Sequence, residues 1–141
     1  MEINVNELVK IKLKDDVIIF QTDTVYGIGC LLSSQKGVER IYDIKKRDGQ
    51  KPLAVLCGSV AQVKSICKWT DTNLTKHWPG ALTLVLPKNA NVGDFVTSGF
   101  ETVGVRIPND SIALTILNHF GPMAVTSLNL STEPAILKYQ E

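Results

Sequence analysis

The sequence predicts an α/β fold: a single domain over residues 1–141, with a mixed sheet and flanking helices. Three observations carry this. Short β-branched apolar runs such as Val17–Phe20 and Thr102–Pro108 alternate along the chain with segments of helical apolar period such as Ser111–Gly121. No repeat, linker or low-complexity segment divides the chain. Its 141 residues, 44% hydrophobic and 21% charged, suit one core.

The elements follow in order. "VNELVKI" reads as a short helix, and "VIIF" (Val17–Phe20) as a buried strand running straight into "TDTVYG". "GIGCLL" (Gly27–Leu32) is a second strand. Ser33 or Ser34 caps a helix reaching about Lys46, with Val38, Ile41 and Tyr42 as its inner stripe. "PLAVLC" is the next strand. Ser59 opens a helix in which Val60, Val63 and Cys67 share a face, and "TNLTKHW" is a short helix stopped by Pro79-Gly80. "ALTLVLP" (Ala81–Pro87) and "TVGVRIP" (Thr102–Pro108) are strands. "SIALTILNHFG" is a helix with Ala113, Ile116, Leu117 and Phe120 inward and Gly121 at its C-cap, and "MAVTS" is the last strand. Strand order cannot be read from these patterns.

Composition excludes several classes. The net charge of +1 gives no global basic field for nucleic acid, so attraction for anions must be local. Cys30, Cys57 and Cys67 are odd in number and make no Cys-x-x-Cys pair, against a zinc site or a disulfide framework. No apolar run reaches membrane-spanning length and no signal-peptide core is present, so a cytoplasmic protein without membrane contact is expected. Walker, Gly-x-Ser-x-Gly and His-Glu-x-x-His motifs are absent. Phosphate chemistry here would rest on charge and positioning.

Polar clusters stand at the ends of apolar runs, where α/β sheets gather ligands. Lys45, Lys46, Arg47 and Lys51 crowd one short connection. They either complement a helix C-terminus or face an anion. Thr22, Asp23 and Thr24 either cap a turn or meet a ligand. Arg106 is either an edge-strand residue or an anion-binding group. Ser127, Asn129 and Ser131 either form local turns or bind. His77 and His119 lack partners at ligand spacing, and Trp69 and Trp78 read as core.

"TDTVYGIG", "KKRDGQKPL", "HWPGALTLVLP", "TVGVRIP" and "TSLNLS" occur in this order from about Val17 to Ala135. Together they resemble the YrdC/Sua5 family, the threonylcarbamoyl-AMP synthases. Its members show Pro-Thr-(Asp/Glu)-Thr-x-Tyr-Gly-Leu-Gly, Lys-x-Arg before Pro-Leu, Trp-Pro-Gly-Pro-x-Thr, Val-x-Val-Arg-x-Pro and Ser-Ala-Asn-x-Ser-Gly. The resemblance implies a twisted sheet with a concave, positively charged cavity. It also implies synthesis of threonylcarbamoyl-adenylate and pyrophosphate from L-threonine, bicarbonate and ATP with Mg²⁺, for t6A modification of tRNA with partner proteins of that pathway. A double-stranded RNA- or tRNA-binding module without catalysis is the alternative.

By the same resemblance, Lys45 and Arg47 are the catalytic cations facing the triphosphate. Arg47, Lys51, Thr102, Asn129 and Ser131 bind ATP, and Thr24, Arg106 and Ser127 bind threonine. No residue is assigned to a metal and no general base is identified. Arg106, in an apolar strand, requires an anionic partner. The sequence departs from the family at Gln21, Leu56, Ala81, Leu128 and Thr132, where Pro, His in some members, Pro, Ala and Gly are usual, and its C-terminal side reads as shortened.

Overall fold

Twelve elements follow one another along the computed structural model, which describes residues 4–45, 51–68 and 73–127. They are α1 (Val5–Leu8), β1 (Ile18–Gln21), β2 (Tyr26–Leu31), α2 (Gln35–Lys45), β3 (Ala54–Leu56), α3 (Val60–Ile66) and a 3-10 helix (Asn73–His77). Then come β4 (Leu84–Pro87), α4 (Asp94–Thr97), β5 (Thr102–Arg106), α5 (Ser111–Phe120) and β6 (Met123–Ser127). The expected α/β class holds. The sequence reading missed α4, whose four residues are too few to display a helical period.

The six strands form one sheet in the order β1-β2-β6-β3-β5-β4. Only β3 and β5 run parallel, and the other neighbours are antiparallel. Side chains alternate between the two faces. On one face Ile28, Cys30, Val55, Val103, Val105 and Ala124 pack under Val38 and Ile41 of α2, Val63 and Ile66 of α3, and Val96 of α4. On the other, Phe20, Leu56, Met123 and Val125 pack under Ala113, Ile116 and Leu117 of α5, with Val5 and Leu8 of α1 alongside.

Local signals start and stop the helices. Ser34, 5% exposed, caps α2: its Oγ accepts from the Gly37 N–H at 2.9 Å and donates to Asp15 Oδ1 at 2.6 Å. Ser34→Ala is therefore expected to cost about 1–2 kcal/mol, read as a lower urea midpoint at unchanged slope. Asp110 caps α5 by accepting from the N–H groups of Ile112 and Ala113, and Gly121 ends it at φ 89°. In α3 the buried pair is Val63 and Ile66. Of the three residues expected to share a face, Val63 and Cys67 are buried, whereas Val60, at the first position of the helix, is 39% exposed.

Candidate functional site

α5 leaves part of its sheet face uncovered, and a cavity of about 240 Å³ lies there. Register explains its floor. Gly27 of β2 pairs with Ser127 of β6, and Leu56 of β3 pairs with Arg106 of β5, so Gly27, Ser127, Val125, Ala54, Leu56 and Arg106 all point to that face. Thr22, Thr24, Val25, Tyr26, Pro52, Thr83 and Thr126 complete the lining. A Cβ on Gly27 would stand 2.9 Å from Val125 Cγ1, so glycine lets β2 and the Val125 side chain approach closely.

The turn between β1 and β2 builds one wall. Thr22, 7% exposed, holds it together: its N–H donates to the Val25 carbonyl at 3.2 Å, and its hydroxyl accepts from the N–H of Thr24 at 3.2 Å. The same hydroxyl donates to the Val25 carbonyl at 2.5 Å. Thr22 therefore fixes where Asp23 and Thr24 project.

Arg106 reaches this turn from the end of β5. Its Nε donates to the Gly80 carbonyl at 2.8 Å, Nη1 donates to Thr24 Oγ1 at 3.1 Å, and Nη2 donates to Asp23 Oδ1. The Arg106 and Asp23 side chains are only 12% and 16% exposed, although the backbone of the turn is open to solvent. Burial pushes the Arg106 guanidinium below its ordinary pKa, yet arginine stays charged. The anion that the sequence reading sought in a ligand is here the chain's own Asp23. Gly80 is held in turn, its N–H donating to the Ile107 carbonyl at 2.8 Å.

Thr24, Arg106 and Ser127, from three separate motifs, thus line one cavity. Thr102 lies elsewhere on the same face of β5, two strand periods from Arg106. It lines a second depression of about 230 Å³ with Pro52, Leu53, Ala54, Val85, Phe100 and Gly104. Pro52 and Ala54 border both hollows. Lys45 ends α2 half-buried and Lys51 is exposed, and neither lines either hollow. The Lys51 carbonyl accepts from the Tyr42 hydroxyl at 2.5 Å, which ties the far end of the cationic connection back to α2. Arg47, Asn129 and Ser131 lie outside the described residues, as do Leu128, Thr132 and Trp69. His77 and His119 are exposed, and Trp78 packs partly buried against the core.

Sequence reasoning placed Asp23 in a candidate polar cluster without pairing it to Arg106, and it gave Thr83 no site role. The strand expected from Ala81 has Thr83 in its interior, but β4 begins at Leu84, which leaves Thr83 at the strand's mouth. Its place after "HWPGAL" was the available signal. Leu56 is 4% exposed and both lines the cavity and joins the core under α5.

A family model for the Sua5/YciO/YrdC domain, described as "Telomere recombination", matches residues 10–141. The chain is 36% identical over 131 residues to the threonylcarbamoyl-AMP synthase of Bacillus subtilis, covering 89% of this chain and 38% of that protein. It is 31% identical over 145 residues to the Vibrio cholerae enzyme of the same name, covering 98% of this chain and 77% of that protein. Its fold matches P. abyssi Sua5 complexed with L-threonine at TM-score 0.83 and 34% identity, covering 93% of this chain and 40% of the other. It matches E. coli YciO at TM-score 0.78 and 27% identity, covering 92% and 65%. The chain spans about two fifths of the length of the Bacillus subtilis and P. abyssi proteins.

Proposed function

We propose, from the premise that the chain belongs to the Sua5/YciO/YrdC family, that it makes threonylcarbamoyl-adenylate and pyrophosphate from L-threonine, bicarbonate and ATP, for t6A modification of tRNA. One observation carries the reading. Thr24, Arg106 and Ser127 converge on one cavity, in a fold shared with a protein solved with L-threonine. A guanidinium flanked by two hydroxyls suits an amino acid that brings a carboxylate and a hydroxyl of its own.

The chemistry needs little covalent help. The threonine amine and bicarbonate give N-carboxythreonine and water. A carboxylate oxygen of that carbamate then bonds to the α-phosphorus of ATP as the bond to the β-phosphate oxygen breaks, and pyrophosphate leaves. The protein supplies alignment and charge. Arg106 orients the amino-acid carboxylate. Lys45, Arg47 and Lys51 neutralise the triphosphate, and Thr102, Asn129 and Ser131 hold the nucleotide. Among the described residues no group of three His, Cys, Asp or Glu side chains could hold a metal ion, so Mg²⁺ is taken as part of the MgATP substrate and no step runs through it. The product's consumers, tRNA and the transferring proteins, belong to the same proposal. RNA binding without catalysis draws no support from the relatives' names.

The test is pyrophosphate release from MgATP with threonine, bicarbonate or ATP omitted in turn. Release that requires all three is expected. Release that is unchanged without threonine would remove the proposal.

A further inference from the structure

Among the described residues lining the cavity, Arg106 alone carries a formal charge. Asp23 does not line the cavity; it touches Arg106 from the turn, with both side chains largely out of solvent. An isolated arginine is a general anion receptor that takes phosphate as readily as carboxylate. The Asp23 contact changes this in two ways. It makes the pair formally neutral, so a polyanion gains little long-range attraction and is repelled by the Asp23 carboxylate in proportion to its charge. It also uses up donors. A guanidinium has five N–H groups, and Gly80, Thr24 and Asp23 each take one. Counted over the described residues, two are left, one on each terminal nitrogen, enough for the two oxygens of a carboxylate.

We propose that Asp23 sets the anion selectivity of Arg106: it positions the guanidinium and cancels its charge, so that the cavity takes an amino-acid carboxylate and refuses phosphate and pyrophosphate. The identity of the amino acid rests on the function proposed above, but the selectivity does not. Such a filter has a use in any site where a carboxylate must be held beside a nucleotide, because a bare arginine would compete for the phosphates. Asp23 is a positioning residue, since it acts through Arg106.

Calorimetric titration of inorganic phosphate and of pyrophosphate tests this on the wild type and on Asp23→Asn, Asp23→Glu and Asp23→Asn/Arg106→Ala. Asp23→Asn is expected to bind phosphate at least about tenfold more tightly than the wild type. The gain should vanish in the double variant and be absent in Asp23→Glu, which keeps the charge. A purely structural role for Asp23 would not raise phosphate affinity. Equal phosphate affinity in folded wild type and Asp23→Asn overturns the proposal, as does an equal gain in Asp23→Glu. If Asp23→Asn does not fold, wild type and Arg106→Ala decide: alike in phosphate affinity if Asp23 already silences Arg106, and a tenfold loss in Arg106→Ala if it does not. Titrating L-threonine into the wild type separates the two ideas. Absence of threonine binding removes the functional reading and leaves the phosphate comparison standing.

Discussion

Arg106→Ala is expected to abolish threonine-dependent pyrophosphate release, by a factor of at least about a hundred, while ATP affinity stays within a few-fold. Truncating one member of a buried, hydrogen-bonded charge pair costs roughly 2–5 kcal/mol, and each 1.4 kcal/mol is about tenfold. The loss falls on threonine because Arg106 lines the cavity with Thr24 and Ser127, whereas Thr102 lines a separate hollow. Arg106→Lys should also be impaired, by about tenfold or more. A single ammonium cannot reach Gly80, Thr24 and Asp23 from one point and still offer a fork to a ligand. Steady-state kinetics with threonine and ATP varied separately would read both variants. An Arg106→Ala enzyme with a wild-type threonine profile would break the link between this cavity and the amino acid.

The largest stability effect is expected at Gly37. This residue lies buried in the first turn of α2, where the helix rests on β2. A Cβ there would stand 2.7 Å from Cys30 Cβ, 2.9 Å from Cys30 Sγ and 2.8 Å from Ser34 Oγ. Alanine would gain up to about 1 kcal/mol in helix propensity, but overpacking costs about 1–3 kcal/mol, so Gly37→Ala should be near neutral to mildly destabilising. Gly37→Val adds two more carbons and β-branching at the same spot, and should cost about 3 kcal/mol. Urea denaturation measures both. Adding Cys30→Ala should recover part of the loss, because the sulfur is one of the atoms met. A Gly37→Val protein as stable as the wild type would mean that α2 shifts off β2 without penalty.

The parts of the fold that were legible are those that local chemistry writes. β-branched runs gave the strands, Ser34, Ser59 and Gly121 gave helix ends, and the Val38/Ile41 stripe gave the buried side of α2. Strand order was not legible, because β6 joins β2 and β3 through pairs such as Ile28 with Thr126 and Val55 with Ala124, which no local pattern encodes. The start of β4 was misread because Ala81 and Leu82 continue an apolar run. In the structure the indole N–H of Trp78 donates to the Leu82 carbonyl at 2.7 Å and keeps that stretch in a turn. Within the cavity, Thr24, Arg106 and Ser127 could be named from their motifs. The Arg106–Asp23 contact could not, because it closes a separation of 83 residues. Arg47, Asn129 and Ser131 lie outside the described residues.

β6, the last of the described strands in chain order, lies inside the sheet with β2 on one side and β3 on the other. A ribosome making this chain delivers the β1–β2 hairpin early and the β3–β5–β4 group later, and neither can be joined to the other until Met123–Ser127 has emerged. Until then β2 and β3 each present an unpaired edge, the kind of surface that templates association between nascent chains. Closure is a single late insertion of high contact order, the slow kind of step in sheet assembly. The same insertion brings Ser127 beside Gly27, so the cavity and the finished sheet come into being together.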